Sequence, residues 1–225
     1  EKPAAAPAEP EFAEAEKEYG FVSVCAGEGF EGLFKELGVD RIVTGGQTMN
    51  PSTDDILKEI NKTPAETVFV LPNNKNIQMA AEQTVGLTSK KVVVIPTRTV
   101  PQGVGAMLGF ADGNPFDEIV EQMKEMASNV HTAMVTYAAR DSEFDGHDIK
   151  AGEYLALLDG ALIGSYADTE TVFGEVCKAA ESLSPEYINV YYGEGVNEDM
   201  ANGDAAFIKK AFESAEINVI YGGQP

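Results

Sequence analysis

The chain has 225 residues, 44% of them apolar and 24% charged, with a formal net charge of −21. That length makes one large domain or two small ones, and the near-average composition excludes a disordered, collagen-like or fibrous chain. The acidity argues against nucleic-acid binding and against anionic membrane surfaces, both of which need Lys and Arg, and no run approaches the roughly 18 apolar residues of a membrane span.

In chain order, residues 1–18 hold six Glu and two Lys among Ala and Pro, and read as a flexible linker. The sequence opens without Met, so it is expected to begin inside a longer chain or to have been trimmed. From Tyr19 onward, β-branched runs alternate with helical patterns. Strands are predicted over Phe21–Cys25, Arg41–Thr44, Thr67–Leu71 and Val92–Ile95. A helix opens at Ser52-Thr53-Asp54-Asp55, a capping-box spacing, and another covers about Asn76–Thr84. Alternation of this kind implies βαβ units and a parallel sheet. After Ala111-Asp112-Gly113-Asn114-Pro115, a helix over Phe116–Ser128 places Phe116, Ile119, Val120, Met123 and Met126 on one face. Val130–Ala139, Glu153–Leu158 and Ala161–Tyr166 then read as an antiparallel meander with an Asp159-Gly160 hairpin turn. A helix (about Glu170–Leu183), a strand (Tyr187–Tyr191), a helix (about Glu198–Phe212) and a strand (Ile217–Tyr221) complete the chain. The predicted architecture is two α/β subdomains, 19–113 with a parallel sheet and flanking helices, and 114–225 with a mixed sheet.

Several motifs invite chemistry and are better read as structure. Gly27-Glu28-Gly29-Phe30-Glu31-Gly32 has the dinucleotide spacing between a strand and a helix. Glu28 and Glu31, however, lie where a pyrophosphate would sit, and the next strand ends in Gly45-Gly46 rather than in an acid. A flexible strand-to-helix turn is the expectation. Asp141-x-Glu143-x-Asp145-Gly146 resembles the start of a calcium loop, but Gly152 stands where its last ligand belongs. An acidic surface hairpin is expected, with no metal site. His131 and His147 neighbour no nucleophile pattern, and Cys25 and Cys177 read as buried core thiols. No catalytic residue is assigned.

The candidate ligand groups lie in three loops that follow strands, where ligands of open parallel sheets bind. They are Gln47, Thr48, Asn50 and Ser52 in the first, Asn73 and Asn74 in the second, and Thr97, Arg98 and Thr99 in the third. Amides, hydroxyls and one guanidinium suit a carboxylate, a phosphate or a peptide backbone. Structural turns remain the competing reading.

Those loops also carry a resemblance. GGQTMNPSTDDIL (45–57), LPNNKNI (71–77), PTRTVPQGVGAM (96–107), VTYAARDSEFDGHDIKAGEY (135–154) and YGGQP (221–225) resemble the carboxy-terminal domain of the catalytic component of bacterial fatty acid kinase, from the dihydroxyacetone-kinase-like or DAK-phosphatase-like family. The resemblance implies a two-subdomain DegV (EDD) fold, shared with the family's fatty-acid-binding partner. It implies that ATP and magnesium belong to an amino-terminal kinase domain outside this segment, so no cofactor is expected here. The Gly45–Ser52 loop corresponds to the partner's carboxylate-holding Thr/Ser loop, although its Gly45-Gly46-Gln47 opening departs from that pattern.

The leading expectation is a cytoplasmic, non-catalytic docking domain, monomeric by itself, that attracts a basic patch of the fatty-acid-binding protein and works with the remaining domains of its own kinase chain. Candidate docking residues are Asp54, Asp55, Glu59, Asp117, Glu121, Glu125, Asp141, Glu143, Asp145 and Asp148. The alternative is a DegV-like module that itself binds a fatty acid or another carboxylate between its subdomains. An independent phosphatase is a third and weaker reading.

Overall fold

The computed structural model describes residues 11–46 and 49–225. Described residues up to Ala26, together with Phe30–Val130, form one unit; Gly27–Gly29 and His131–Pro225 form a second. The first unit runs β1 (Lys17–Cys25), α1 (Glu28–Glu36), β2 (Arg41–Thr44), α2 (Thr53–Lys62), β3 (Ala65–Leu71), α3 (Lys75–Glu82), β4 (Lys91–Val94), α4 (Val100–Leu108) and α5 (Phe116–Ser128). Its four strands are all parallel, in the order β2-β1-β3-β4.

Strand alternation explains why this sheet is buried on both faces. Val22 and Val24 of β1, with Val68 and Val70 of β3, turn to one side and pack on Ile56 and Ile60 of α2 and Ile77 and Ala81 of α3. Tyr19, Phe21 and Phe69 turn to the other. Phe21 stacks on Phe69 at 5.5 Å, Phe110 meets Phe21 edge-on at 4.8 Å, and Phe116 lies 6.4 Å from Phe69. Aromatic pairs in these geometries add to the area they bury.

Three expectations need correction. The helix α4 begins at Val100, inside the stretch 96–103 expected to be a loop. Thr99 caps it by accepting from the Gln102 amide, and Pro101 sits in its first turn. Its Gly105 and Gly109, four apart, bring α4 directly onto α5. A Cβ at Gly105 would lie 3.0 Å from Met126 O, and one at Gly109 would lie 2.7 Å from Gln122 O. Because α5 is packed there, it belongs with the first unit, and the division falls after Val130 rather than after Gly113. Finally, the described part of the expected linker is not free. β1 already begins at Lys17, and Ala13 and Glu16 donate to Asn61 O (2.8 Å) and Pro64 O (3.0 Å).

The second unit contains β5 (Ala133–Tyr137), β6 (Ser142–Phe144), β7 (His147–Ile149), β8 (Tyr154–Leu158), β9 (Ala161–Tyr166), α6 (Thr169–Ala180), a short 3-10 turn (Glu181–Leu183), β10 (Tyr187–Tyr192), α7 (Glu198–Ala211) and β11 (Glu216–Tyr221). It is mixed: an antiparallel β5-β8-β9 sheet, a β6-β7 hairpin and a parallel β10-β11 pair. Ala156, Val172 and Val176 form its core where α6 covers β8. His131, expected within a strand, precedes β5 and pairs with Asp159 at 2.7 Å in the β8-β9 turn.

The α4–α5 contact gives a direct test. Gly109→Val forces a branched side chain into the α5 backbone and is expected to cost about 1–3 kcal/mol or more by overpacking, read from urea denaturation. Gly113→Ala, where a Cβ meets no atom but φ is +92°, should cost only the smaller backbone strain.

Candidate functional site

At the carboxyl ends of β1, β3 and β4, the predicted ligand groups are brought together and then used by the chain itself. Asn73 follows β3 in the left-handed region, with φ of 55°, and is 7% exposed. Its Nδ2 donates to Ser23 Oγ and to Val24 O, both at 2.9 Å, and its backbone N–H donates to Thr97 Oγ1 at 3.0 Å. One residue thus joins the ends of three strands. Asn73 Oδ1 is buried without a hydrogen-bond partner and faces α4, where a Cβ at Gly103 would come within 2.2 Å of it. Glycine there leaves the room that the Asn73 amide occupies.

The neighbouring candidates serve as helix caps. Ser52 and Asp55 make a reciprocal capping box on α2: Ser52 Oγ accepts from the Asp55 amide, and the Asp55 carboxylate accepts from the Ser52 amide at 2.8 Å. Asn74 accepts from the Asn76 amide at 2.8 Å to cap α3, and Thr99 caps α4. Thr97 is fully buried. Asn50 and Arg98 remain exposed at this edge; the Arg98 amide donates to Gln102 Oε1 at 2.8 Å. Gln47 and Thr48 lie outside the described residues. The sequence reading missed Ser23, Gln102 and Gly103. Ser23 was the legible one, a lone hydroxyl in an otherwise apolar, fully buried strand run.

The Gly27–Gly29 turn has a structural occupant. A Cβ at Gly27 would lie 2.4 Å from Gly222 O, and one at Gly29 would lie 2.0 Å from Tyr221 O. The first two glycines of the dinucleotide-like spacing therefore admit the backbone of Tyr221–Gly223. That same backbone is held by Gly222 N donating to Tyr192 O at 2.9 Å. Burial and the nearby Glu28 carboxylate raise the Tyr221 hydroxyl above its ordinary range.

The acidic candidates fall into three groups. On α2, Asp55 is spent on the cap and Glu59 pairs with Lys62 at 3.4 Å, which leaves Asp54 exposed. On α5, Asp117 and Glu125 are exposed and Glu121 pairs with Lys124 at 3.0 Å. In the β6-β7 hairpin, Asp145 (φ 48°) and Gly146 (φ 78°) form the turn, and Asp141 accepts from the Ala151 amide at 2.8 Å. Register places Glu143 directly opposite Asp148, both exposed. Like charges facing each other across a strand pair cost stability. Cys25 and Cys177 are buried, and burial pushes the Cys25 thiol up to about 12, away from nucleophilic use.

A family model for the carboxy-terminal domain of FakA-like fatty acid kinase proteins matches residues 20–225. The chain belongs to this family. Among curated proteins similar to it, Bacillus subtilis protein YloV is 36% identical over 219 residues, covering 97% of this chain and 40% of its own length. An uncharacterized protein of Staphylococcus aureus strain USA300 is 34% identical over 208 residues, covering 92% of this chain and 38% of its own. The chain thus spans about two fifths of the curated relatives it matches. Its fold is that of the Streptococcus pneumoniae fatty acid kinase B3 protein, solved loaded with linoleic acid, with a TM-score of 0.60 at 10% identity over 91% of this chain and 92% of that one. The FakA-like carboxy-terminal domain and the B3 protein therefore share a DegV-like architecture.

Two outcomes follow for this FakA-like domain. Thr97→Val removes the acceptor of the buried Asn73 amide and should cost about 1–3 kcal/mol, against about 1 kcal/mol for Ser52→Ala at the α2 cap, both by chemical denaturation. Asp168, which caps α6 through the Thr171 amide at 2.7 Å, is held below the ordinary carboxylate range by that bond, and Asp55 by Ser52. Depressed values mean that this stabilisation is present at neutral pH and lost as pH falls through the folded values. Thermal melts from about pH 6 to about pH 3 should drop, and Asp168→Asn, which keeps a capping oxygen, should flatten part of the drop.

Proposed function

We propose that this domain is a non-catalytic docking module of a fatty acid kinase, which receives the fatty-acid-binding partner through its acidic surface while a kinase domain elsewhere in the parent chain uses ATP and magnesium on the bound acid. In this reading it acts in the cytoplasm. Among the described residues, no helix is long and apolar enough to cross a membrane.

One observation carries the reading. The β6-β7 hairpin sets Glu143 against Asp148, with Asp141 and Asp145 beside them, on a pair of strands exposed everywhere but Ile149. This arrangement costs the isolated domain stability that a basic partner surface would return. The groups expected to hold a carboxylate point the same way. Asn73 and Thr97 are committed to each other and to β1, and Ser52, Asn74 and Thr99 to helix caps. Among the described residues, a carboxylate at this edge would be left with Asn50 and Arg98.

The test separates stability from binding. Glu143→Gln with Asp148→Asn should stabilise the domain by about 0.2–1 kcal/mol, while slowing association with a DegV-fold fatty-acid-binding protein at low salt. High salt should erase the difference between variant and wild type. Affinity that is unaffected by both the substitutions and salt would sink the docking reading. The alternative, an acyl carrier like the linoleate-loaded structural neighbour, predicts that the domain purified from cells retains lipid in native mass spectrometry.

A further inference from the structure

Lys90 is a cation held by backbone rather than by carboxylates. Its Nζ donates to three main-chain carbonyls: Ala13 O at 2.8 Å, Ala65 O at 3.4 Å and Thr63 O. The Phe12 ring covers it with its centroid at 4.9 Å. An ammonium has three donors and no acceptor, so three carbonyls saturate it. Two of these carbonyls lie at and just beyond the C-cap of α2, Thr63, where the partial negative charge of a helix end favours a cation. The third belongs to the segment ahead of β1.

That segment is also sewn to the end of α2 by its own amides. Ala13 N donates to Asn61 O at 2.8 Å, and Glu16 N to Pro64 O at 3.0 Å. Thr88 Oγ1 donates to Asn61 Oδ1 at 2.8 Å and accepts from the Lys90 amide at 3.3 Å, which fixes the lysine to the same helix end. Further along, Lys17 pairs with Asp40 at 2.5 Å. A stretch rich in Ala and Glu has little apolar surface to bury and would not order by itself. Partial burial lowers the Lys90 pKa, so holding the charge there has a cost that the carbonyl cage and ring offset.

We propose that Lys90 is a latch that straps residues Phe12–Glu16 to the carboxyl end of α2, so that polypeptide ahead of residue 12 meets the domain at one fixed point rather than through a loose tether. Where the domain is joined to further chain, a fixed point of attachment restricts the volume it explores and raises its effective concentration there. The inference is independent of which ligand or partner the domain receives.

Amide hydrogen exchange on the 225-residue chain tests it. Lys90→Met keeps the apolar stem and removes the charge. Exchange at Ala13 and Glu16 should accelerate about tenfold or more, as loss of charged hydrogen bonds implies. Thr63 N, which donates to Ile60 O within α2, and the β3 amides should keep their wild-type rates. Equal acceleration at all of these sites would make Lys90 a general support of the fold and overturn the latch. Wild-type rates at Ala13 would overturn it too. Phe12→Ala leaves the cage and removes only the ring, and should speed Ala13 by a few fold. If Lys90→Met does not fold, this variant decides alone, and an unchanged Ala13 rate refutes the proposal.

Discussion

A single buried amide closes the carboxyl end of the parallel sheet. Asn73 donates to β1 through its side chain and to the loop after β4 through its backbone, in a conformation that few residues other than glycine adopt. Such a residue persists only when its surroundings over-determine it. Here the surroundings are Ser23, Val24, Thr97 and the bare Cα of Gly103. This edge is where open α/β sheets ordinarily hold their ligands. In this domain Asn73 and Thr97 hold the strands together there, and Ser52, Asn74 and Thr99 hold the helix starts. That commitment leaves Asn50 and Arg98 as the exposed polar candidates described at the edge.

Close backbone approach is the second constraint, and it recurs where the sequence looks most like a cofactor motif. The Gly27–Gly29 spacing has the form of a phosphate-binding turn. In the folded chain it receives the Tyr221–Gly223 backbone at distances that no side chain would permit. Gly105 and Gly109 do the same for α4 and α5. In each case glycine is selected by a backbone that must come near, and in neither case is that backbone a nucleotide's.

The acidic surface is uneven in what it offers. Some carboxylates do structural work, as Asp55 and Asp168 do at helix starts and Asp40 does in holding Lys17. Others face one another without relief, as Glu143 and Asp148 do. The second kind is the worse off in the isolated domain, because like charges opposed across a strand pair repel. The Lys90 cage is the inverse case, a cation neutralised by helix-end dipoles rather than by any of the many acids.

The sequence alone determined the strand runs, the capping box at Ser52, the family and the two-part α/β organisation. These follow from periodicity and local hydrogen bonding, which a few neighbouring residues decide. It also placed Cys25 and Cys177 inside and the acidic hairpin outside. The tertiary structure alone decided which polar loop residues are free. Asn73 and Thr97 look like ligand groups in sequence, and become structural only because β1 and the β4 loop, 50 and 24 residues away, bring Ser23 and Thr97 Oγ1 to Asn73. It likewise made residues 100–103, part of an expected loop, the first turn of α4, moved α5 into the first unit, and converted residues 12–16 from linker to strap. Each of these depends on a contact across the chain, with Met126, with Asn61 or with Lys90, and long-range contacts leave no periodic mark on the segments they join.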